Sequence, residues 1–118
     1  MSARFHLLHT GYARDRVAST VSYVADGDQH IVIDPGMVAS ADRILDPLEE
    51  HGCAPQDVTD VVLSHWHPDH TWHLALFPDA RVHDHWAIYQ RDRWDSRPAE
   101  GAQVSPSVRL LETPGHTP

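Results

Sequence analysis

The segment from Val58 to Leu63 and the seven residues behind it constrain this chain more than any other feature. Val58-Thr59-Asp60-Val61-Val62-Leu63 reads as a buried strand, and Ser64-His65-Trp66-His67-Pro68-Asp69-His70 follows at once. Side chains alternate along an extended chain, so His65 and His67 are expected on one face. Pro68 then bends the backbone, which lets Asp69 and His70 swing into the same space from a turn. Four possible ligands thus come from six residues at the carboxyl end of a strand. In layered α/β proteins, sites commonly sit at such carboxyl ends.

The flanking segments supply the layers. Arg4 to His9 and Val17 to Ala25 read as strands, and Asp26-Gly27-Asp28 offers the positive φ of a tight turn before Gln29 to Ile33 resumes. Asp34-Pro35-Gly36 stops that strand. A helix is expected next, with Ser40 as its cap, Ile44, Leu45 and Leu48 as its apolar face and Gly52 as its terminator. Pro55 to Asp57 reads as a turn, Leu74 to Phe77 as a short helix closed by Pro78, and Arg81 to His83 and Val108 to Glu112 as brief strands. Trp86 to Pro106 shows no regular pattern and reads as a surface excursion beside a site. Strands and helices in this alternation predict a mixed α/β class, the α/β (α+β) layers of a single domain over 1–118.

Composition narrows the function. No apolar run approaches the roughly 18 residues of a membrane span, and the opening residues are broken by His6 and His9 before a secretory apolar region forms. A cytoplasmic location with no membrane partner is the expectation. The one cysteine, Cys53, excludes an internal disulfide and is expected to pack after Gly52. A net charge of −8 disfavours RNA and other polyanions as partners and leaves a small-molecule substrate as the favoured one.

Histidine is abundant, with 11 in the chain and six between His65 and His85. Even so, His-x-His-x-Asp-His arises by chance in roughly one such chain in a hundred. Imidazoles and a carboxylate at this spacing make a metal site the reading. Thr113-Pro114-Gly115-His116-Thr117 adds a distant partner, because Gly115 lets the backbone pass close to a metal. His65, His67 and His116 would give three nitrogen ligands and leave a fourth position for water, as catalytic zinc sites do.

With Asp34 in Ile-Val-Ile-Asp-Pro-Gly, the His65 to His70 run and His116 in Thr-Pro-Gly-His-Thr occurring in that order, the sequence resembles the metallo-β-lactamase superfamily. Leu76-Phe77-Pro78 and the Pro-Gly-His ending are similar to one branch within it. The resemblance implies an αββα sandwich with the site at one edge of the sheets. It implies that His65, His67 and His116 hold one metal and that Asp69 and His70 hold a second, with Asp34 supporting them through hydrogen bonds. It further implies zinc, two ions per intact domain, activating a water for attack on an ester, thioester, lactone or phosphodiester. Were only the first ion bound, Asp69 would orient or deprotonate that water.

The same ligand types suit iron or manganese. An iron-dependent oxidoreductase resembling persulfide dioxygenases is therefore the alternative enzyme, and a metal-binding chain without turnover the non-enzyme alternative. Two departures from the superfamily pattern stand out. Thr71-Trp72-His73 replaces the small residue and glycine usual after the run, and His73 is expected on a helix surface. His83 and His85 would share a face if extended. The chain also ends at Pro118, before a bridging aspartate and final histidine, so the expectation is a sandwich truncated to its amino-terminal half. An uncovered sheet face would then invite a homodimer.

Overall fold

A computed structural model describes residues 3–113. Strands β1 (Arg4–His9), β2 (Tyr12–Ala13), β3 (Val17–Ala18), β4 (Val21–Asp26) and β5 (Gln29–Ile33) precede helix α1 (Asp42–Glu50). Strand β6 (Asp60–Val62), the one-turn helix α2 (Pro68–Thr71) and strand β7 (Arg81–His83) follow. Strands β8 (Ala87–Gln90), β9 (Arg93–Ser96), β10 (Gln103–Ser105) and β11 (Val108–Arg109) complete the described chain. Seven strands form one sheet in the order β1-β4-β5-β6-β7-β8-β9, flanked by the β2–β3 and β10–β11 ribbons.

The centre of the sheet is parallel, β5 to β6 and β6 to β7, while both wings are antiparallel hairpins. That centre decides where the site lies. Because β5, β6 and β7 run the same way with Ile33, Val62 and His83 in register, the residues that follow them emerge at one edge. Asp34, Ser64 and Asp84 therefore meet there.

One face of the sheet packs on α1. Ile44 and Leu48 are fully buried against Val21, Tyr23, Val32 and Val61, which is the apolar i, i+4 face read from the sequence. The helix ends in a Schellman motif: Gly52 (φ 79°) donates to the Glu49 carbonyl at 2.9 Å and Cys53 to that of Leu48 at 3.2 Å. Cys53 is buried beside Leu48, in the packing role expected of it. Burial pushes its thiol pKa up, and burial followed by the adjacent Cys53 pushes that of Tyr23 up to about 12. The opposite face carries Val24, Ile31 and Val104 with Ile33, Val62 and Leu110.

Several expectations are corrected. Ser40 makes no side-chain cap; Ala41 is the capping residue and the Ser40 carbonyl accepts from the Arg43 amide at 3.0 Å. The single strand expected over Val17 to Ala25 breaks at Ser19 and Thr20, whose hydroxyls bond elsewhere. Ser19 Oγ donates to the Asp34 carbonyl (2.9 Å), and Thr20 Oγ1 accepts from the Gly11 amide (2.9 Å). Leu74–Leu76 is a 3-10 turn, and the last strand stops at Arg109. The largest difference is Trp86 to Pro106, which contains a regular hairpin, β8–β9, and then β10. Among the described residues, no helix is long and apolar enough to cross a membrane.

Candidate metal centre

Every part of the site is fixed from the sheet edge outward. Asp34 adopts a left-handed conformation (φ 54°), unusual for a residue other than glycine, and is held there on several sides. Its amide donates to the Val62 carbonyl at 3.0 Å. Its carboxylate accepts from the Ser64 amide (2.8 Å), the Ser64 hydroxyl (2.7 Å) and His70 Nδ1 (2.8 Å). The Ser64 hydroxyl also lies 3.0 Å from His65 Nδ1. Asp34 is buried, so these bonds act away from competing water.

The loop after β5 clamps the ligand turn. Met37 N donates to the Asp69 carbonyl at 3.0 Å, His73 N to that of Pro35 at 2.8 Å and His73 Nδ1 to that of Gly36 at 2.6 Å. Gly36 is required by this approach, since a Cβ there would lie 1.8 Å from the Asp69 carbonyl oxygen. His73 is thus half-buried and joins two loops, instead of standing on a helix surface.

His65, Asp69 and His70 each offer a ligand atom within 4.8 Å of one another, the one such group of three among the described residues. The His65 and His70 rings lie 4.2 Å apart between centroids. His67 caps α2 in extended geometry with its ring edge-on to His65 at 4.5 Å; it borders the group without joining it. The structure thus gathers residues that the resemblance divided between two ions. His116 falls outside the described residues.

The donor set fits a cation. With Nδ1–H committed to Asp34, His70 turns its Nε2 toward Asp69 Oδ2 at 3.2 Å. Two lone-pair bearers that close need a proton or a metal between them. A carboxylate bonded to the far nitrogen of a ligating imidazole is also how metal sites fix ring orientation and ligand basicity. The four-residue α2 places Asp69 and His70 there through Pro68 at its first position, with Trp72 N closing the turn on the Pro68 carbonyl at 3.1 Å.

On the other side of β6, Asp84 holds an aromatic frame that the sequence reading missed. Its carboxylate accepts from Trp66 Nε1 (2.6 Å), Tyr89 Oη (2.7 Å) and the Trp86 and Ala87 amides (both 2.8 Å). Burial alone would raise the Asp84 pKa, but the bonds from Trp66, Tyr89 and the two amides outweigh it and hold the carboxyl below its usual range. Burial first, and then the Asp84 carboxylate, push the Tyr89 pKa up to about 12. A cavity of about 580 Å³ opens here, bordered by His65, Trp66, His67, His85 and Leu110.

His83 and His85 do not share a role. His83 is buried on β7 with Nε2 2.8 Å from Asp60 Oδ1, whereas His85 is exposed, 3.7 Å from Glu112. Trp72 is 66% exposed, outside the buried core.

Comparison with known proteins agrees with this geometry. Residues 14–118 match the family described as the metallo-beta-lactamase superfamily. Metallo-beta-lactamase domain-containing protein 1 of Xenopus laevis is 33% identical over 124 residues, covering 95% of this chain and 52% of the relative. An atrochrysone carboxyl ACP thioesterase of Passalora fulva is 33% identical over 108 residues, or 80% of this chain and 29% of that protein. A solved Thermotoga maritima structure assigned as a metallo-β-lactamase superposes with a TM-score of 0.59 at 35% identity, over 68% of this chain and 42% of that one. The chain spans about half the length, or less, of the curated relatives it matches. The motif order, the mixed sheet with its ligand run at the end of β6, and the match over most of the sequence together make the chain a member of the metallo-β-lactamase superfamily.

Proposed function

We propose that the protein is a metal-dependent hydrolase acting on a small ester, thioester, lactone or phosphodiester, with zinc as its metal. The observation that carries this reading is the convergence of His65, Asp69 and His70 within 4.8 Å, with His70 oriented by Asp34. His67 and His116 complete the ligand set in this proposal. Likeness to the Passalora fulva thioesterase supports hydrolysis as the reaction class. The net charge of −8 supports a small-molecule substrate over RNA.

Metal bound there would supply Lewis acidity for the developing oxyanion and lower the pKa of an attacking water. The chain's own residues do the rest. Asp34 and Ser64 fix the imidazoles before substrate arrives, which removes reorganisation from the reaction step. Asp69, partly open to the site, is the group placed to orient the water or take its proton. Trp66, between two ligand histidines, forms part of the cavity wall.

Two histidines and one carboxylate are also the ligand set of non-haem iron oxygenases, and this trio favours an iron oxidoreductase as the second reading. The test is a panel of ester, thioester, lactone and phosphodiester substrates with the full-length protein, before and after chelation. Hydrolysis lost on chelation and restored by zinc is the expected result. A protein that carries iron, consumes oxygen and hydrolyses nothing would replace the hydrolase with the oxidoreductase. Stoichiometric zinc with no turnover on any substrate would reduce the protein to a metal binder.

A further inference from the structure

Around the β8–β9 hairpin gather aromatic side chains of which the chemistry above uses only Trp66, as a wall of the cavity. Trp66, Trp86, Tyr89 and Trp94 line a separate open cleft of about 410 Å³ beside the larger cavity, and Trp66 and Trp86 border both. The rings meet edge-to-face: Trp66 on Tyr89 at 6.3 Å and 80°, Tyr89 on Trp94 at 4.7 Å and 85°. Each perpendicular contact covers one ring face and leaves the rest of the indole surface to solvent. Trp66, Trp86 and Trp94 are 47, 60 and 67% exposed, far above what packing side chains of this size retain.

Their orientation is set from below. Asp84 accepts the Trp66 indole N–H and the Tyr89 hydroxyl, and the Arg97 amide bonds the Trp86 carbonyl at 2.9 Å. Two of the four side chains, Trp66 and Tyr89, are thus fixed beside the ligand loop by a buried carboxylate. A structural hairpin does not require that.

We propose that Trp66, Trp86, Tyr89 and Trp94 form a subsite that takes a planar, uncharged aromatic group of the substrate. The charge follows from the surroundings. Asp84 already accepts four hydrogen bonds, so it has little left to offer an ammonium group. The Arg97 guanidinium, donating to the Asp84 carbonyl at 2.6 Å, offsets the charge of the Asp84 carboxylate, so the frame offers no net charge to an ionic group. An anion would meet a chain of net charge −8. Planarity follows from the open indole faces, which favour offset stacking over contact with a bulky saturated group. Continuity with the cavity beside His65 and His67 places the scissile bond of such a substrate toward the ligands. The word substrate rests on the hydrolase reading; the binding of an aromatic group does not.

The experiment measures binding, not turnover. 2-Naphthol and its saturated counterpart decahydro-2-naphthol are titrated into the full-length, zinc-loaded protein by ligand-observed NMR. Naphthol is expected to bind more tightly, and Trp86→Ala and Trp94→Ala each to weaken it roughly three- to tenfold. Phe5→Ala, which removes an equally exposed apolar ring on β1, is expected to change nothing. Equal affinity for the two alcohols, or unchanged naphthol binding in both tryptophan variants, would overturn the proposal. So would sedimentation of the wild type as a dimer that Trp94→Ala dissolves, because a second copy would then own this surface. Naphthol binding with the expected losses, in a protein that hydrolyses nothing, would uphold the subsite and sink the hydrolase reading.

Discussion

Two buried aspartates flank β6 at the same sheet edge, and they do different work. Asp34 follows β5 and Asp84 follows β7, so the parallel register puts them on either side of the histidine run. Asp34 spends two of its bonds on Ser64 and the third on the imidazole of His70, a candidate ligand. Asp84 spends all four on an indole, a phenol and two amides. None of those donors changes charge near neutral pH. One carboxylate therefore tunes the chemistry of a neighbour, and the other only holds a frame. Residue type and burial are alike in the two; the partners decide the role.

The largest expected effect breaks the Asp34 side without touching Asp34. Gly36→Ala drives a Cβ into the Asp69 carbonyl, and metal affinity should fall by about 100-fold or more, at or beyond the upper range for lost outer support. Chelator competition would measure this, and affinity within the wild-type range would mean the loop can yield. Asp34→Asn comes next. Asparagine tolerates the φ of 54° but is a weaker acceptor for His70, so affinity should drop roughly 10- to 100-fold with little change in melting temperature.

Asp84→Asn should do the reverse. It sets an amide N–H against existing donors and costs about 1–3 kcal/mol of stability by denaturant titration, with altered near-ultraviolet dichroism and unchanged metal affinity. A matching loss of metal from this variant would erase the contrast between the two aspartates. The smallest effect is in acid. The Asp84 carboxyl is held below its ordinary range when folded, so it stabilises the protein at neutral pH, and that contribution is lost as pH falls through the ordinary carboxylate range and below. Asp84→Asn should flatten this acid limb of the stability curve, and an unchanged limb would assign it to other groups. Asp60 is one, its carboxyl held low by His83, Gln29, Thr59 and Arg81 against the opposing effect of burial.

These regions also differ in how far the sequence disclosed them. The ligand loop was legible because its signals are local: a β-branched strand, two histidines at period two, and a proline that turns the chain. The β4–β5 hairpin was legible for the same reason, through the positive φ of Gly27. The β8–β9 hairpin was not. Its tight turn uses Arg91 at φ 53° with no glycine or asparagine to announce it, and β9 is exposed throughout, so no alternation marks it. The approach of Gly36 to Asp69 went unread and His73 was misjudged, because their partners are 33 and 37 residues distant, Asp69 and Gly36 respectively. Asp84 likewise gathers donors from three places, which composition and periodicity do not report.

The central claim is that His65, Asp69 and His70 hold a metal. Elemental mass spectrometry of the purified full-length protein, beside His70→Ala and His65→Ala, tests it most directly. About one or two zinc ions per chain, lost in both variants while the fold persists by circular dichroism, is the predicted result. A folded wild type with no more metal than the two variants would contradict it.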